Sequence, residues 1–450
     1  MNAFRRSLRY SRPYAAISLG AFLSLLLVTV TNLYAPQLVR LLIDNGILVE
    51  NWNGIVTATT GLIVVAVARG LFTFLQGYWS EKASQGVAYD LRNDVYSKLA
   101  TLSFSYHDQH QTGQLMTRVT SDVEGVRLFF AQGLLQFVSA ILTLISSAII
   151  LFATDWRLAL AALSTVPLMG GIFGFLFTHL FPRFRIVQKK LGNLNTILQE
   201  SIAGVRVVKA FAAEPHELAR YRAGNEGLYQ EFLGVVRLFS LGFPLVFFFA
   251  NLGTLIVIWY GGNRVISGNL SLGTLIAFNT YLALLLMPIF QLGFISQLLA
   301  RASASSERLF EIIDAESEVQ ERPGATRLGT MTGRVTFDEV HFRYVGAEEE
   351  VLRGISFEAE PGQTVAVLGA TGSGKSTIIN LIPRFYDVTG GAVRIDGSDV
   401  RDITLGSLRS QIGIVLQDAT LVSGTLRDNI AFGCPDATDE EVERAARTAQ

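Results

Sequence analysis

The chain has 450 residues, of which 50% are hydrophobic and only 17% are charged. A soluble domain rarely has this balance, so the composition predicts membrane-spanning helices, and the length leaves room for a soluble domain beside them. The formal net charge is −1, which excludes the global positive field typical of nucleic-acid-binding proteins, so no nucleic-acid partner is expected. A single cysteine, Cys434, excludes a disulfide within one chain.

The N-terminal residues 1–14 are basic, with Arg5, Arg6, Arg9 and Arg12. A secretory signal peptide also begins with a basic stretch, but no small-residue cleavage site follows the apolar run. Residues 1–14 are therefore predicted to be a cytoplasmic basic segment ahead of a first span that is retained.

Six apolar stretches are long enough to cross a bilayer, which takes about 20 helical residues. They define a predicted transmembrane domain over residues 15–302, and they cover 15–43, 55–79, 126–153, 158–181, 239–260 and 272–300. Pro36 and Pro288 are predicted to kink their helices without abolishing them.

The connections between these spans differ in length and charge. Those after spans two and four, 80–125 and 182–238, hold nearly all the lysines and arginines of the connections, whereas the short connections hold only Arg157 and Arg264. The excess of positive charge on cytoplasmic loops places the N-terminus, both long connections and the region after span six in the cytoplasm of a multi-pass protein of the cytoplasmic membrane.

The two long connections also carry helical periodicity. Residues 87–102 and 191–211 keep apolar residues three and four apart, which predicts helices that extend the spans into the cytoplasm. Turns are predicted at the tips, over 106–109 and 212–215. Either these tips contact a cytoplasmic domain or they are solvated bends, and periodicity favours neither alternative.

A polar linker, 303–333, contains Pro323 and Gly324 and precedes a predicted soluble domain over 334–450. Helical patterning follows Lys375 and begins again at Asp439. Short β-branched or aromatic stretches predict strands over 335–337, 340–342, 351–358, 364–368, 393–395 and 412–416.

The soluble domain contains the pattern G-x-x-x-x-G-K-[ST] between the predicted strand 364–368 and a predicted helix that runs to Pro383. In this context the glycines let backbone N–H groups turn towards a polyphosphate, and the helix N-terminus adds partial positive charge. The alternative is a glycine-rich turn before an ordinary helix. Lys375 is expected to reach the β and γ phosphates and Ser376 to ligate Mg²⁺. The predicted nucleotide-binding residues are Gly369, Ala370, Thr371, Gly372, Ser373, Gly374, Lys375, Ser376 and Thr377.

Six spans followed by this loop resemble the half-transporters of the ABC exporter family, of the lipid and multidrug exporter type. The stretches that carry the resemblance are similar to the two intracellular loops of that family and to its glutamine loop with the segment after it, and they are 112–122, 199–211, 412–418 and 424–430. The resemblance implies an all-α, six-helix transmembrane domain followed by an incomplete α/β P-loop nucleotide-binding domain.

The resemblance also implies roles for individual residues. Tyr344 matches the aromatic residue that stacks on adenine, although a tyrosine at a strand end is otherwise usually a core residue. Gln417 matches the glutamine that ligates Mg²⁺ and senses the γ-phosphate. The segment around Glu214 matches the second coupling helix, which docks on the partner subunit. The implied cofactors are ATP and Mg²⁺, and the implied partners are the lipid bilayer, a small hydrophobic substrate and a second half-transporter, as homodimer or heterodimer.

The sequence departs from the family pattern at its end, Gln450. The family's L-S-G-G-Q motif, its second acidic strand with the catalytic glutamate and its switch histidine are all expected further on. Residues 1–450 are therefore expected to be an incomplete copy that does not hydrolyse ATP alone, with no catalytic residue beyond Gln417. The full-length protein is expected to export a hydrophobic or amphipathic substrate. The alternatives are a truncated, non-catalytic subunit that binds a partner or nucleotide without turnover, and an ATP-gated channel on the same scaffold.

Overall fold

The computed structural model describes residues 2–417 and 420–450. The chain divides into two compact units, which are described separately below. The first consists of residues 1–93 with 120–309, and the second of residues 94–119 with 310–450.

Six helical stretches of the described chain are long and apolar enough to cross a membrane, which confirms the six predicted spans. They are Ala3–Ile47, Trp52–Thr101, Thr112–Thr154, Trp156–Ala203, Glu214–Ile266 and Leu272–Ile313. Local changes of helical pitch and short interruptions divide them into Asn2–Ser7, Leu8–Tyr14, Ala15–Leu42, Ile43–Ile47, Trp52–Thr101, Thr112–Thr117, Arg118–Asp122, Val123–Leu128, Phe129–Gly133, Leu134–Thr154, Trp156–Leu163, Thr165–Ala203, Glu214–Ile256, Val257–Gly261, Gly262–Ile266, Leu272–Leu284 and Leu286–Ile313.

Proline explains the interruption in span six. The helix stops at Leu284 and resumes at Leu286, because Pro288 has no N–H to donate to the carbonyl four residues earlier. Span four is interrupted in the same way at Ser164, three residues before Pro167. The first span differs, since Ala15–Leu42 remains helical through Pro36.

Polar contacts fix the spans of the first unit to one another. Tyr281 is 1% exposed, and its hydroxyl accepts a hydrogen bond of 3.1 Å from Gln37 of span one. Arg308 of span six donates a 2.9 Å bond to the buried carboxylate of Asp122, which also accepts a bond from Ser305. A buried carboxylate is stable only when it is paired in this way.

The helices extend far beyond a bilayer, as predicted. Trp52–Thr101 has 50 residues, about 75 Å of helix at 1.5 Å per residue, against a hydrocarbon core of about 30 Å. The predicted turn at 106–109 is wrong, because Phe104–Gln109 forms a short helix that starts with a bond from the Tyr106 N–H to the Ser103 carbonyl. At the second tip, a helix over Val205–Ala210 is followed by a turn that ends before Glu214, because Pro215 fits the first turn of the next helix.

The second unit contains a four-stranded antiparallel sheet. Its strands are β1 (Val335–Phe342), β2 (Leu352–Ala359), β3 (Gly390–Ile395) and β4 (Ser398–Asp399), in the order β2-β1-β3-β4. These bounds confirm the strands predicted over 351–358 and 393–395, whereas the two strands predicted over 335–337 and 340–342 form a single strand, β1. One face of the sheet buries Phe337, Phe342 and Val393 against Leu381. Besides the ends of the long helices, the helices of this unit are Phe104–Gln109, Thr112–Thr117, Lys375–Leu381, Val400–Asp402, Leu405–Arg409, Leu426–Ile430 and Asp439–Ala449.

Two predicted strands are not formed. Residues 364–368 and 412–416 have no strand pairing, and Leu368 and Val415 are 92% and 100% exposed. An isolated strand leaves its N–H and C=O groups without partners, so a β-rich sequence forms a strand only beside another one. Within the described residues neither segment has such a neighbour.

A buried arginine joins the linker to the nucleotide unit. Arg384 is 1% exposed, and its guanidinium donates to the Asp387 carboxylate at 2.6 Å and to the Gln320 carbonyl at 2.9 Å. It also reaches the Arg401 carbonyl at 3.4 Å. One planar fork of donors therefore connects three segments that are distant in sequence.

We predict that Arg384→Met lowers the free energy of unfolding of the second unit by about 3 kcal/mol. The substitution removes the donor that pairs with the Asp387 carboxylate and with the carbonyls of Gln320 and Arg401. The thermal unfolding midpoint measures this loss. Arg394→Met is the matched control, since Arg394 is 41% exposed and lies 3.9 Å from Asp338. Such a surface ion pair contributes about 0–1 kcal/mol, and equal shifts in the two variants would contradict the prediction.

Candidate nucleotide-binding site

The loop over 369–374 has a backbone shape that requires glycine. Gly372 and Gly374 have φ angles of +85° and +90°, in the left-handed region. A Cβ added to Gly374 would lie 2.8 Å from Cδ2 of Leu352, and one added to Gly369 would lie 2.6 Å from Oγ of Ser373. The glycines of the sequence pattern are therefore explained by the local geometry.

The side chains after the loop have different environments. The Lys375 ammonium donates to the Gly369 and Ala370 carbonyls at 2.9 and 2.7 Å, so it lies over the loop. Ser376 is exposed, and its hydroxyl makes no hydrogen bond to the described part of the chain. Thr377 is only 4% exposed, and its hydroxyl lies 2.9 Å from that of Tyr344.

Tyr344 thus lies beside the helix that follows the loop. Its ring is half-buried and packs edge-on against Phe342, at a centroid distance of 4.8 Å, and against Tyr386, at 5.3 Å. The ring serves as part of the core rim here, and its stacking on adenine stays a prediction.

The structure does not bring Gln417 to the loop. Gln417 is exposed and follows the unpaired segment 412–416, and no hydrogen bond joins it to residues 369–377. The next residue of the predicted motif, Asp418, lies outside the described residues. Of the two predicted Mg²⁺ ligands, Ser376 presents an accessible hydroxyl oxygen, a hard ligand of the kind that Mg²⁺ prefers. The roles of Ser376 and Gln417 both stay predictions.

The 94–119 segment contacts residues that follow Pro383, and the sequence analysis did not predict which residues make this contact. The Tyr386 hydroxyl donates a 2.7 Å hydrogen bond to the Asp108 carboxylate. Beside it the Phe104 ring stacks on Phe385, with centroids 4.4 Å apart. Of the two alternatives for the tip at 106–109, contact with the cytoplasmic domain is therefore the one found. The feature of the sequence that could have predicted this contact is the aromatic pair Phe385 and Tyr386, shortly after Pro383.

The raised pKa of Tyr386 explains why its hydroxyl is always the donor in this hydrogen bond. Burial, and then the hydrogen bond to the Asp108 carboxylate, raise the pKa of Tyr386 well above its ordinary value. Tyr386 therefore remains a protonated donor throughout the physiological pH range.

Comparison with known proteins identifies the architecture. Residues 18–289 match the family model "ABC transporter transmembrane region", and residues 352–450 match the model "ABC transporter". The chain belongs to the ABC transporter family. Its two matched regions have the arrangement of an ABC exporter half-transporter, with an all-helical membrane domain before a sheet-containing nucleotide-binding domain. It is accordingly a multi-pass membrane protein with an ATP-binding domain.

Three relatives of this ABC transporter show how far the similarity extends. The ABC transporter ATP-binding protein YknU of Bacillus subtilis is 34% identical over 100% of this chain and 77% of its own length. The ATP-dependent lipid A-core flippase of Syntrophus aciditrophicus is 33% identical over 100% of this chain and 74% of its own length. A fatty acid ABC transporter ATP-binding/permease protein of Mycobacterium tuberculosis is 36% identical over 86% of this chain and 61% of its own length.

We predict that Gly374→Ala lowers ATP affinity tenfold or more, because an L-residue costs about 1–2 kcal/mol in the left-handed region and its Cβ would also clash with Leu352. Equilibrium binding of a fluorescent ATP analogue measures the loss. The control is Gly406→Ala, since nothing lies within 4 Å of a Cβ at that helical position. If both variants bind ATP as the parent chain does, the loop geometry is not what binds the phosphates.

Proposed function

We propose that this ABC transporter uses ATP to export a hydrophobic or amphipathic substrate, such as a lipid or a drug-like molecule, across the cytoplasmic membrane. The transport mechanism is alternating access in a dimer of half-transporters. The observation that carries the proposal is the glycine loop, whose left-handed turns precede the exposed Ser376 and the ammonium of Lys375.

ATP occupies the loop in this proposal. Its phosphates accept bonds from backbone N–H groups of residues 369–377, and Lys375 exchanges the Gly369 and Ala370 carbonyls for phosphate oxygens. Ser376 provides a hydroxyl ligand to Mg²⁺, and Gln417 provides another when its segment is positioned. Tyr344 stacks on adenine after its ring turns away from Tyr386.

Movement of the nucleotide-binding domain reaches the spans through the 94–119 segment. The Asp108–Tyr386 hydrogen bond and the Phe104–Phe385 stack fasten this segment to the domain. Because ATP binds more tightly to the closed dimer than to the open one, it drives the closure. The segment around Glu214 docks on the partner subunit, and the exposed apolar side chains just before it, with Phe211 80% exposed, support such a docking role.

The proposal of an apolar substrate rests on the scarcity of charged residues in the spans. Arg69 is the charge in the middle of span two, and few other charges lie at membrane depth. Two of the relatives are described as a lipid A-core flippase and a fatty acid transporter, which supports a lipid-like substrate here. The excess of arginine and lysine in the long connections supports a cytoplasmic N-terminus and nucleotide-binding domain.

In proteoliposomes in which the parent protein moves a fluorescent phospholipid with ATP, we predict that Lys375→Ala abolishes this movement, because the variant loses the positive charge that holds the terminal phosphates. Lys189→Ala is the control, since Lys189 is exposed on the helix Thr165–Ala203 and belongs to the membrane unit. Lipid movement that persists in Lys375→Ala would contradict the proposed role of the site.

A second candidate is a subunit that binds nucleotide or a partner without turnover. The exposure of Leu368 and Val415 favours it, because the segment directly before the nucleotide loop, 364–368, and the segment 412–416 expose apolar side chains in the described chain. Phosphate release distinguishes the two candidates. A purified chain of residues 1–450 that binds ATP and releases phosphate refutes the second candidate, whereas ATP binding without release supports it.

A further inference from the structure

The N-terminal segment, residues 2–14, is fixed to the membrane unit. The Phe4 ring packs edge-on against Phe129 at 5.2 Å, and Ser7 is fully buried. The Tyr14 hydroxyl donates a 3.1 Å bond to Asp90, and its ring lies against Gly86 so closely that a Cβ there would overlap it. The segment therefore forms a fixed wall beside the first three spans.

A cavity lies between this wall and spans one to three. Its volume is about 320 Å³, within the range of about 300–1,000 Å³ found for ligand pockets. The residues at its lining come from the N-terminal segment and from each of the three spans, and they include Leu8, Ser11, Ser18, Phe22, Ala83 and Leu134.

The cavity is apolar although serines line it. The hydroxyls of Ser11, Ser80 and Ser84 donate to the carbonyls of nearby backbone at 2.7, 2.6 and 2.9 Å. Because these three hydroxyls already donate to the backbone, they leave few hydrogen-bond donors for a ligand in the cavity. A hydrocarbon chain fits such a surface better than a polar metabolite does.

The N-terminal segment also carries positive charge next to the cavity. Leu8–Tyr14 is a 3₁₀-helix, in which residues three apart lie in one row along the axis. Leu8 and Ser11 form the row that lines the cavity, so Arg9 and Arg12 form the adjacent row. Both arginines are exposed and make no ion pair with the described residues. A cationic rim therefore borders an apolar cavity.

We propose that this site binds one anionic phospholipid of the bilayer, with an acyl chain in the cavity and the headgroup phosphate on Arg9 and Arg12. The site is distinct from the nucleotide loop and does not depend on the proposed export activity. The choice of an anionic phospholipid follows from charge complementarity and from the position of the cavity at the ends of three membrane spans. A zwitterionic lipid offers the same chains without net charge, so the rim should discriminate between the two.

The test is native mass spectrometry of the purified chain in detergent, titrated with phosphatidylglycerol or phosphatidylcholine of identical acyl chains. We expect one phosphatidylglycerol to bind about thirtyfold more tightly than phosphatidylcholine, since each of the two arginines near an anionic headgroup contributes about fivefold. Arg9→Gln/Arg12→Gln should reduce phosphatidylglycerol affinity to that of phosphatidylcholine. Arg157→Gln, at an arginine between spans three and four, should change neither affinity.

A second pair of variants tests the cavity. Ser18→Leu fills it from span one and should weaken both lipids tenfold or more. Ala16→Leu adds a leucine at a nearby exposed position of the same helix and should weaken neither. Thermal unfolding of each variant confirms that it folds. Equal affinity of the parent chain for the two lipids would overturn the proposal, and so would phosphatidylglycerol binding that Ser18→Leu leaves unchanged.

Discussion

The side chain of Tyr386 makes the contacts on which the nucleotide unit depends. Its ring packs against Phe342 of the sheet core and against Tyr344 beside the phosphate loop, and its hydroxyl donates to Asp108 of the 94–119 segment. Burial keeps the phenol protonated, so this donor remains available to the carboxylate. One residue therefore touches the core, the nucleotide site and the segment that continues into spans two and three.

The sheet and the loop depend on different kinds of support. The four antiparallel strands form backbone hydrogen bonds with their neighbours in the sheet. The loop is defined by the local backbone conformation at Gly372 and Gly374. The segments 364–368 and 412–416 have neither kind of support among the described residues, and they expose Leu368 and Val415.

The features that could be predicted from the sequence are those with local causes. The six spans follow from hydrophobic length, and the requirement for glycine at 372 and 374 follows from the phosphate-loop pattern. The Asp108–Tyr386 contact could not be predicted, because it joins residues 278 positions apart. The strand at 364–368 was wrongly predicted for a related reason, since strand propensity does not supply a neighbouring strand. The helix at Phe104–Gln109 was missed because six residues are too few for periodicity to be recognised.

We propose that ATP binding affects the 94–119 segment through Tyr386. Amide hydrogen exchange of residues 104–109, measured in the chain with and without ATP, tests this proposal. We expect ATP to slow exchange there severalfold in the parent chain. We also expect Tyr386→Phe, which keeps the ring but loses the bond to Asp108, to remove most of this effect while ATP still binds. An equal effect of ATP in both proteins, or no effect in the parent chain when ATP is bound, would contradict the proposal.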